Sequence, residues 1–440
     1  MRTSFSQIQL QDPDIRTAEQ VLRKCVRCGF CTATCPTYQL LGDELDGPRG
    51  RIHQIQHMLE TEATPSPETV KHVDRCLSCL ACETACPSGV SYRRLVDQAR
   101  DYIEQRHGRP LSDRWLRSLL ARVLTHPGLF RTAARLAGLF RWAEPYAPGR
   151  LKGLIAMAPR SLPAMAGGGV HPPPGERKFR VALLGGCVQA VLDPEINAAA
   201  VRLLNRLGAT VTVSEPACCG GLPHHLGKMD QARALAAGRI EAWNREIEAH
   251  GLDAIVVTTS GCGTEIKDYG HMFRDHPALA KPAARVSALA LDITELLERT
   301  GLPPVQPKRL RVAYHAACSL QHGQQVKDTP RRLLAAAGFE VLEPRESHLC
   351  CGSAGTYNML QPSIATQLRE RKAEHLAALD ADVIAAGNLG CMMHLAPALI
   401  APIVHTVQLL DWATGGPRPQ SVNPRPAKTA TRLAGFEIHE

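Results

Sequence analysis

Two copies of one cysteine pattern constrain the fold of this 440-residue chain more than any other feature. Each copy reads C-x2-C-x2-C-x3-C-P, and the members are Cys25, Cys28, Cys31 and Cys35 in the first copy and Cys76, Cys79, Cys82 and Cys86 in the second. With this spacing three thiolates surround one corner of an iron–sulfur cube, whereas the fourth cysteine faces away from it. The pattern predicts two [4Fe–4S] clusters. Zinc is disfavoured, since structural zinc sites usually have two separated C-x2-C pairs.

The fourth cysteine of each run is predicted to ligate the cluster of the other run. The first cluster is then held by Cys25, Cys28, Cys31 and Cys86, and the second by Cys76, Cys79, Cys82 and Cys35. Between the runs, Ile52, Ile55, Met58 and Leu59 recur at helical spacing after Pro48, which predicts a helix. A helix in this position favours a helical two-cluster domain over a small free ferredoxin.

The other eight cysteines belong to an internal repeat. Its first copy extends from FRVALLGGC (179–187) through PACCGG (216–221) to IVVTTSGC (255–262), and its second from LRVAYHAAC (310–318) through HLCCGS (348–353) to VIAAGNLGC (383–391). Corresponding cysteines are separated by nearly constant offsets of 131, 132 and 129 residues. These cysteines are Cys187, Cys218, Cys219 and Cys262 in the first copy and Cys318, Cys350, Cys351 and Cys391 in the second.

Apolar strands alternate with amphipathic helices in both copies, which predicts parallel α/β sheets. All eight cysteines follow strands, so we expect them to converge at the carboxyl edge of each sheet, where ligands bind. Further metal sites are one use for them. Alternatively, the cysteines pack as small buried hydrophobic residues, or the vicinal pairs carry out thiol–disulfide exchange.

Composition narrows the class of protein further. Hydrophobic residues make up 44% of the chain and charged residues 21%, as in a folded globular protein. The 16 cysteines are too sparse for a disulfide-stapled mini-protein. The first residues contain no apolar signal segment, and no run of about 18 apolar residues occurs. We therefore expect a protein that is neither secreted nor membrane-spanning, with thiols that bind metal in a reducing compartment.

The motifs together resemble those of the iron–sulfur subunit of glycolate oxidase, over residues 20–415. The resemblance is carried by CVRCGFCTATCPTYQLLGDELDGPRGRI, CLSCLACETACPSGV and the two CCG repeats with SHLCCGSAGTY. It implies that a separate FAD-containing subunit oxidises glycolate to glyoxylate. This chain would pass the electrons to a quinone or another membrane acceptor, and would carry no catalytic residue. The segment LLGGCVQA after the first strand lacks the G-x-G-x-x-G fingerprint of dinucleotide binding, in agreement with this division of labour.

The CCG repeats depart from the related heterodisulfide reductases, whose last motif is C-x2-C. Here the motif reads GCGTEI at 261–266 and GCMMHL at 390–395, so each repeat offers four thiolates instead of five. A conventional iron–sulfur cluster, an acceptor-binding site and a docking role all stay open. The sequence is also compatible with the iron–sulfur subunit of a glycerol-3-phosphate or lactate dehydrogenase, with a thiol or disulfide reductase, and with an assembly scaffold.

The net charge of +9 is concentrated in one segment. Residues 109–160 hold ten Arg and Lys side chains against two acidic ones, and their apolar residues recur at helical spacing with a break at Pro127 and Gly128. Such a basic amphipathic pair suits a peripheral membrane interface. It also suits packing on the ferredoxin part or on the flavin subunit, with the arginines outward. A nucleic-acid partner is not expected, because no recognition motif is present.

We thus predict an α+β chain, with a mainly helical two-cluster ferredoxin domain followed by a pseudo-twofold α/β domain of two CCG repeats. The predicted divisions are a ferredoxin-type domain at 1–108, a basic connector and Gly/Pro linker at 109–178, CCG repeats at 179–304 and 305–415, and a flexible tail at 416–440. The predicted location is cytoplasmic, peripheral on the inner membrane.

Overall fold

A computed structural model describes residues 1–140, 142, 146 and 161–422. Predictions for the other connector residues up to 160 and for the tail beyond 422 lie outside the described residues. The overall class agrees with the prediction, because a helical first part is followed by repeats with parallel sheets.

The first part of the chain is built from short helices. Their bounds are α1 Pro13–Lys24, α2 Pro36–Leu41, α3 Pro48–Thr61, α4 Pro67–Asp74, α5 Ala81–Thr84 and α6 Tyr92–Arg106. The predicted helix between the cysteine runs is α3, with Pro48 at its first position, where a missing N–H costs nothing. Its four predicted apolar residues are all buried in the core of this part. His53 and His57 face solvent.

Two helices follow in the basic segment, α7 Leu111–Val123 and α8 Pro127–Leu139, separated at the predicted break. Not every arginine of this segment faces outward. The guanidiniums of Arg109 and Arg117 point inward and pair with Asp74 at the end of α4, at 2.7 and 2.8 Å. These buried ion pairs therefore hold the connector against the helical first part.

Each CCG repeat forms its own sheet. The strands are β1 Gly169–His171, β2 Phe179–Leu183, β3 Ala209–Val213, β4 Ala254–Val257, β5 Ala290–Asp292, β6 Arg311–His315, β7 Glu340–Leu342, β8 Val383–Ala386 and β9 Ile403–His405. The sheet orders are β1-β3-β2-β4-β5 and β7-β6-β8-β9. All pairs are parallel except β1 with β3. The predicted Gly/Pro linker is thus partly structured, since β1 adds an edge strand to the first sheet.

Helices cover the faces of both sheets. Their bounds are α9 Gln189–Leu192, α10 Glu195–Arg206, α11 Gly221–His225, α12 Met229–His250, α13 Ser260–Ile266, α14 Tyr269–Met272, α15 Ala280–Leu289, α16 Ile293–Thr300, α17 Thr329–Ala336, α18 Tyr357–Leu360, α19 Pro362–Ala377, α20 Leu389–Leu395 and α21 Thr406–Ala413. One apolar core includes β2 and β3 of the first repeat and β6 and β8 of the second. The two repeats therefore form one continuous body. Nowhere in the described ranges is a helix both long and apolar enough to cross a membrane.

Candidate iron–sulfur centres

The two ferredoxin-type runs have the same backbone shape. In each run, the residue before the second cysteine and the residue after it adopt positive φ. These residues are Arg27 (58°) and Gly29 (86°) in the first run, and Ser78 (49°) and Leu80 (62°) in the second. Left-handed residues turn successive backbone N–H groups toward one concave side, where an anionic group binds. The Ser78 N–H accordingly points to the Sγ of Cys76, at 3.4 Å.

The first predicted ligand set is gathered near the surface. Cys25, Cys28, Cys31 and Cys86 line one small cavity. Burial, together with the charges of Cys25, Cys86 and Cys28, raises the pKa of Cys31 to about 11. Cys28 is exposed, and Val26 and Phe30 beside it are exposed apolar residues. The fourth member, Cys86, comes from the other run, and the structure places it beside the first three.

The second predicted set lies in the interior. Cys76, Cys79, Cys82 and Cys35 are all buried. Burial and the charges of Cys79, Cys76 and Cys35 raise the pKa of Cys82 well above its ordinary value. Thiols in this state need a positive partner to ionise, and a set of four buried sulfurs fits the donor chemistry of a cubane cluster.

Polar side chains that sequence reasoning did not select surround the second set. Arg51 is 1% exposed and donates from Nη1 to the Sγ of Cys35 at 3.9 Å. Its Nε donates to the carbonyl oxygen of His72 at 2.7 Å, and its charge is paired with buried Asp46. The Tyr92 hydroxyl donates to the Sγ of Cys76 at 3.8 Å. The signal for these residues was slight: Arg51 directly precedes the predicted buried face of α3.

The four cysteines of the first CCG repeat form one group. The Cys218 sulfur accepts the N–H of Gly220 at 3.3 Å. Hydrogen bonds from the thiols of Cys187 and Cys219 lower the pKa of Cys218, although burial opposes this. Hydrogen bonds with Cys218 and Cys262, together with burial, raise the pKa of Cys219. Cys262 therefore lies beside the vicinal pair. The predicted convergence after the strands is thus present in this repeat.

The second repeat gathers its cysteines in the same way. The thiol of Cys318 donates to the Sγ of Cys350 at 3.6 Å, and the sulfurs of Cys351 and Cys391 lie within 4.8 Å of each other. The imidazole of His315, at the end of β6, lies within the same distance of both. Burial, with a smaller contribution from Lys372, lowers the pKa of His315 to about 3, so its ring is neutral.

The second ferredoxin set adjoins the second CCG repeat. Cys79 and Leu77 belong to one apolar cluster with Cys350, and Cys318 packs against that cluster. Burial and the nearby charge of Cys318 raise the pKa of Cys79 well above its ordinary value. Two hydrogen bonds hold this contact: Thr84 Oγ1 to His322 Nδ1 at 2.8 Å, and the Tyr357 hydroxyl to the carbonyl oxygen of Arg75 at 3.0 Å.

A cavity of about 990 Å³ lies between the two CCG repeats. Cysteines from both repeats line it: Cys187, Cys218, Cys219, Cys262, Cys318, Cys350 and Cys391. Leu120 of α7, Leu124 directly after it, and Ala134 and Ala137 of α8 supply an apolar wall. The connector therefore closes one side of a large pocket whose far side is sulfur-rich, and the size of this pocket is typical of organic ligand sites.

Comparisons with known proteins agree with this architecture. A family model described as a 4Fe-4S dicluster domain matches residues 21–90, and one described as a cysteine-rich domain matches residues 181–267 and 312–396. A helical unit with two ferredoxin-type runs, followed by two cysteine-rich repeats, defines an iron–sulfur subunit of the oxidoreductase class. The glycolate oxidase iron-sulfur subunit of Escherichia coli K12 is 41% identical over 94% of this chain and 99% of that protein. The chain belongs to the family of glycolate oxidase iron–sulfur subunits.

More distant relatives extend the comparison. The probable glycolate oxidase iron-sulfur subunit of Bacillus subtilis 168 is 30% identical over 86% of this chain and 89% of its own length. One subunit of the fumarate reductase (CoM/CoB) of Methanothermobacter marburgensis is 26% identical over 92% of this chain and 75% of its own. A hypothetical protein from Helicobacter pylori shares the fold, with a TM-score of 0.56 at 10% identity over 93% of this chain and 74% of that one.

Proposed function

We propose that this chain carries electrons within a glycolate dehydrogenase complex, from a separate FAD-containing subunit to a quinone or another membrane acceptor. Clusters bound to its cysteines would accept and release single electrons. The observation that carries the proposal is the order of the cysteine groups. An exposed set at Cys28 is followed by a buried set at Cys79, which adjoins the second CCG repeat and its cavity.

Cluster binding by the predicted ligand sets is part of this proposal. The first cluster would be held by Cys25, Cys28, Cys31 and Cys86, and the second by Cys76, Cys79, Cys82 and Cys35. In the second CCG repeat, the donors Cys318, Cys350, Cys351 and Cys391 would hold a further cluster. The chemistry of that donor set fits the group, because the four sulfurs lie close together and a cubane cluster is held by four cysteine thiolates.

Anaerobic iron and sulfide counting on the full chain tests the number of clusters. We expect about twelve irons per chain or more, since each [4Fe–4S] cluster brings four. A count of about eight would confine iron to the ferredoxin runs and contradict the cluster in the second repeat. The purified chain alone should not oxidise glycolate, whereas the complex with its flavin subunit should.

We also propose that the flavin subunit docks at the exposed end. Val26 and Phe30 are 68% and 66% exposed on either side of Cys28, which places an apolar rim around the most accessible cysteine. Aromatic and apolar residues in such a rim are the usual anchors of a protein interface. A Phe30→Ser variant should therefore lose affinity for the flavin subunit while keeping its iron.

The cavity is the proposed acceptor site. Its apolar wall comes from α7 and α8, whose outer sides bear Trp115 and Leu139, 73% and 71% exposed. A lipophilic quinone that enters from a membrane surface would meet this wall first and the cysteine-lined side behind it. The apolar lining and the volume support an organic, membrane-derived ligand over a small hydrophilic one.

Filling the cavity tests the acceptor site. Ala137→Phe adds a ring on the cavity side of α8, and we expect the KM for quinone in the complex to rise about tenfold. Reduction of ferricyanide, which needs no lipophilic pocket, should keep its rate. Thr132→Phe adds the same bulk on the exposed side of α8 and serves as the control. Equal losses with both acceptors would argue against a quinone in this cavity.

A second candidate is a disulfide reductase that uses a CCG pair. It is favoured by Cys218, whose lowered pKa and position in the cavity wall suit a nucleophilic thiolate. Alkylation separates the two candidates. Thiols protected in the anaerobic holoprotein support metal binding, whereas rapid labelling of Cys218 after reduction of the holoprotein supports thiol chemistry.

A further inference from the structure

His315 is a buried imidazole that makes no ordinary polar contact. It ends the apolar strand β6 and is 1% exposed. Neither of its ring nitrogens has a hydrogen-bond partner among the residues that the structure describes. Native proteins rarely leave such a side chain unsatisfied, because its polar atoms lose their hydration without compensation. An unpartnered histidine in this setting needs a role that hydrogen bonding does not supply.

The neighbours of His315 point to a metal. One ring nitrogen and the sulfurs of Cys351 and Cys391 lie within 4.8 Å of one another, and all three residues are buried. A metal ion binds imidazole nitrogen at about 2.0 Å and thiolate sulfur at about 2.3 Å, so ligands of one ion lie a few ångströms apart. The three atoms are thus close enough to share one ion after small side-chain shifts.

The first repeat lacks this histidine. The strand registers pair Ala182 with Ile255 in the first sheet and Ala313 with Ile384 in the second, so the two repeats superimpose with His315 on Leu184. Leu184 is buried in an apolar cluster with Cys219. The same place in the fold therefore accepts a leucine, which means that packing alone does not require an imidazole at His315.

A second histidine in this repeat is a weaker candidate. His394 follows Cys391 by three residues, the spacing at which a C-x2-C motif would have its second thiolate. Its Nε2 is already 3.2 Å from the carbonyl oxygen of Ala365, and its Nδ1 is 3.4 Å from the amide of Asn358. Both nitrogens are occupied, in contrast to those of His315.

We propose that His315 is a ligand of the cluster in the second CCG repeat, beside Cys351 and Cys391. The inference rests on the proposed function, which assigns a cluster to that repeat. Cys318 and Cys350 supply further donors, because Cys350 is hydrogen-bonded to both Cys318 and Cys351, and five donors exceed the four that a structural zinc ion takes. A neutral imidazole as the fifth donor leaves the cluster less negative than an anionic thiolate at the same position would, which raises its reduction potential.

Pulsed electron paramagnetic resonance on the anaerobic full chain tests the ligand directly. In protein labelled with ¹⁵N-histidine, we expect one reduced cluster to show a nitrogen hyperfine coupling that differs from that of unlabelled protein. His315→Leu, which installs the residue of the first repeat, should abolish this coupling. The matched control is His394→Leu, which removes another buried histidine of the same repeat and should retain it. His315→Cys should keep the iron, lose the coupling and lower the midpoint potential.

The outcomes separate this inference from the function on which it rests. About twelve irons without any histidine coupling would overturn the role of His315 and leave the cluster in place. A coupling that survives in His315→Leu would likewise overturn it. One zinc per chain that is lost in His315→Leu would overturn both the cluster and this inference, because the bound ion would not be iron. The absence of any metal from the second repeat would overturn both.

Discussion

Arg51 brings a positive charge into the interior beside one cysteine of the second set. Its guanidinium contacts Cys35, Thr37 and Asp46, all of them buried, and Nε is bound to the carbonyl oxygen of His72. A fixed cation next to cluster ligands favours the more negative, reduced state and so raises the reduction potential. At the scale of single residues, this arginine is therefore both a structural and an electrostatic element.

Replacing Arg51 by Met should lower the midpoint potential of the buried cluster, because the reduced state loses its nearby cation. The folded chain should also lose about 3 kcal/mol, since Asp46 remains buried with one partner fewer. A redox titration followed by electron paramagnetic resonance, together with denaturant unfolding, measures both effects. Arg16→Met removes an exposed arginine of α1 and should change neither; an unchanged potential in R51M would refute the electrostatic role.

Single residues also mark the limit of prediction from sequence. The spacing of the ferredoxin runs was enough to select eight cysteines, and the structure brings them together in the two predicted sets. His315 and Arg51 were not selected as ligands or tuning residues. Their importance depends on which atoms face them in three dimensions: an imidazole is ordinary on a surface and exceptional only when buried without a partner.

At the scale of elements, α7 and α8 pack on the rest of the chain and also present a surface that suits the proposed membrane contact. Their inner sides close the cavity, and Arg117 secures α7 to Asp74. Their outer sides expose several large apolar residues: Leu111, Trp115, Leu129, Leu136 and Leu139. Exposed arginines such as Arg114 and Arg122 flank this surface, as in helices that lie at a membrane interface.

Removing part of this apolar surface should weaken membrane binding. Leu111 and Trp115 stand one helical turn apart on α7 and are equally exposed, at 73%. The double variant Leu111→Ser, Trp115→Ser should reduce co-sedimentation with anionic vesicles about tenfold. Ile8→Ser, which removes an exposed apolar residue elsewhere, is the control. Undiminished binding by the double variant would exclude α7 as a membrane contact.

Three strands that the sequence did not predict are short strands at the sheet edges. β1, β5 and β9 have three residues each, too few for an apolar period to stand out. The central strands β2, β4, β6 and β8 were visible as continuous apolar runs, because both of their faces are covered by helices. Edge strands form because a neighbouring strand offers backbone hydrogen bonds. The sequence of the edge strand alone does not show which segments become neighbours in the fold.

At the scale of the whole molecule, the helical first part forms polar contacts with both repeats. Arg94 of α6 forms a two-pronged ion pair with Asp268 of the first repeat, at 2.6 and 2.5 Å. His224 of the same repeat lies 2.8 Å from Glu265 and 3.7 Å from Asp97 of α6. Burial opposes the charge of His224, but the two carboxylates raise its pKa to about 9. We therefore expect the contact between these parts to depend on pH.

The stability of the full chain should decrease as pH rises from 6.5 to above 9. The pKa of His224 is above its ordinary value of 6.5, so its contribution is complete below pH 6.5 and is lost as the folded ring deprotonates near pH 9. The loss amounts to about 3 kcal/mol. Denaturant unfolding across this range measures it, and His224→Gln should flatten the profile. A slope that persists in H224Q would assign the effect to another group.

The contrast in exposure between the two ferredoxin-type cysteine sets determines how the protein deteriorates in air. Oxidants and chelators have direct access to Cys28, whereas every member of the second set is shielded by packed side chains. Damage should therefore begin at the end that we assign to the flavin subunit and reach the interior last. A preparation that has aged in oxygen would keep the iron of its buried set but lose the site at which electrons enter. Its iron content would then remain high although it no longer accepts electrons from the flavin subunit.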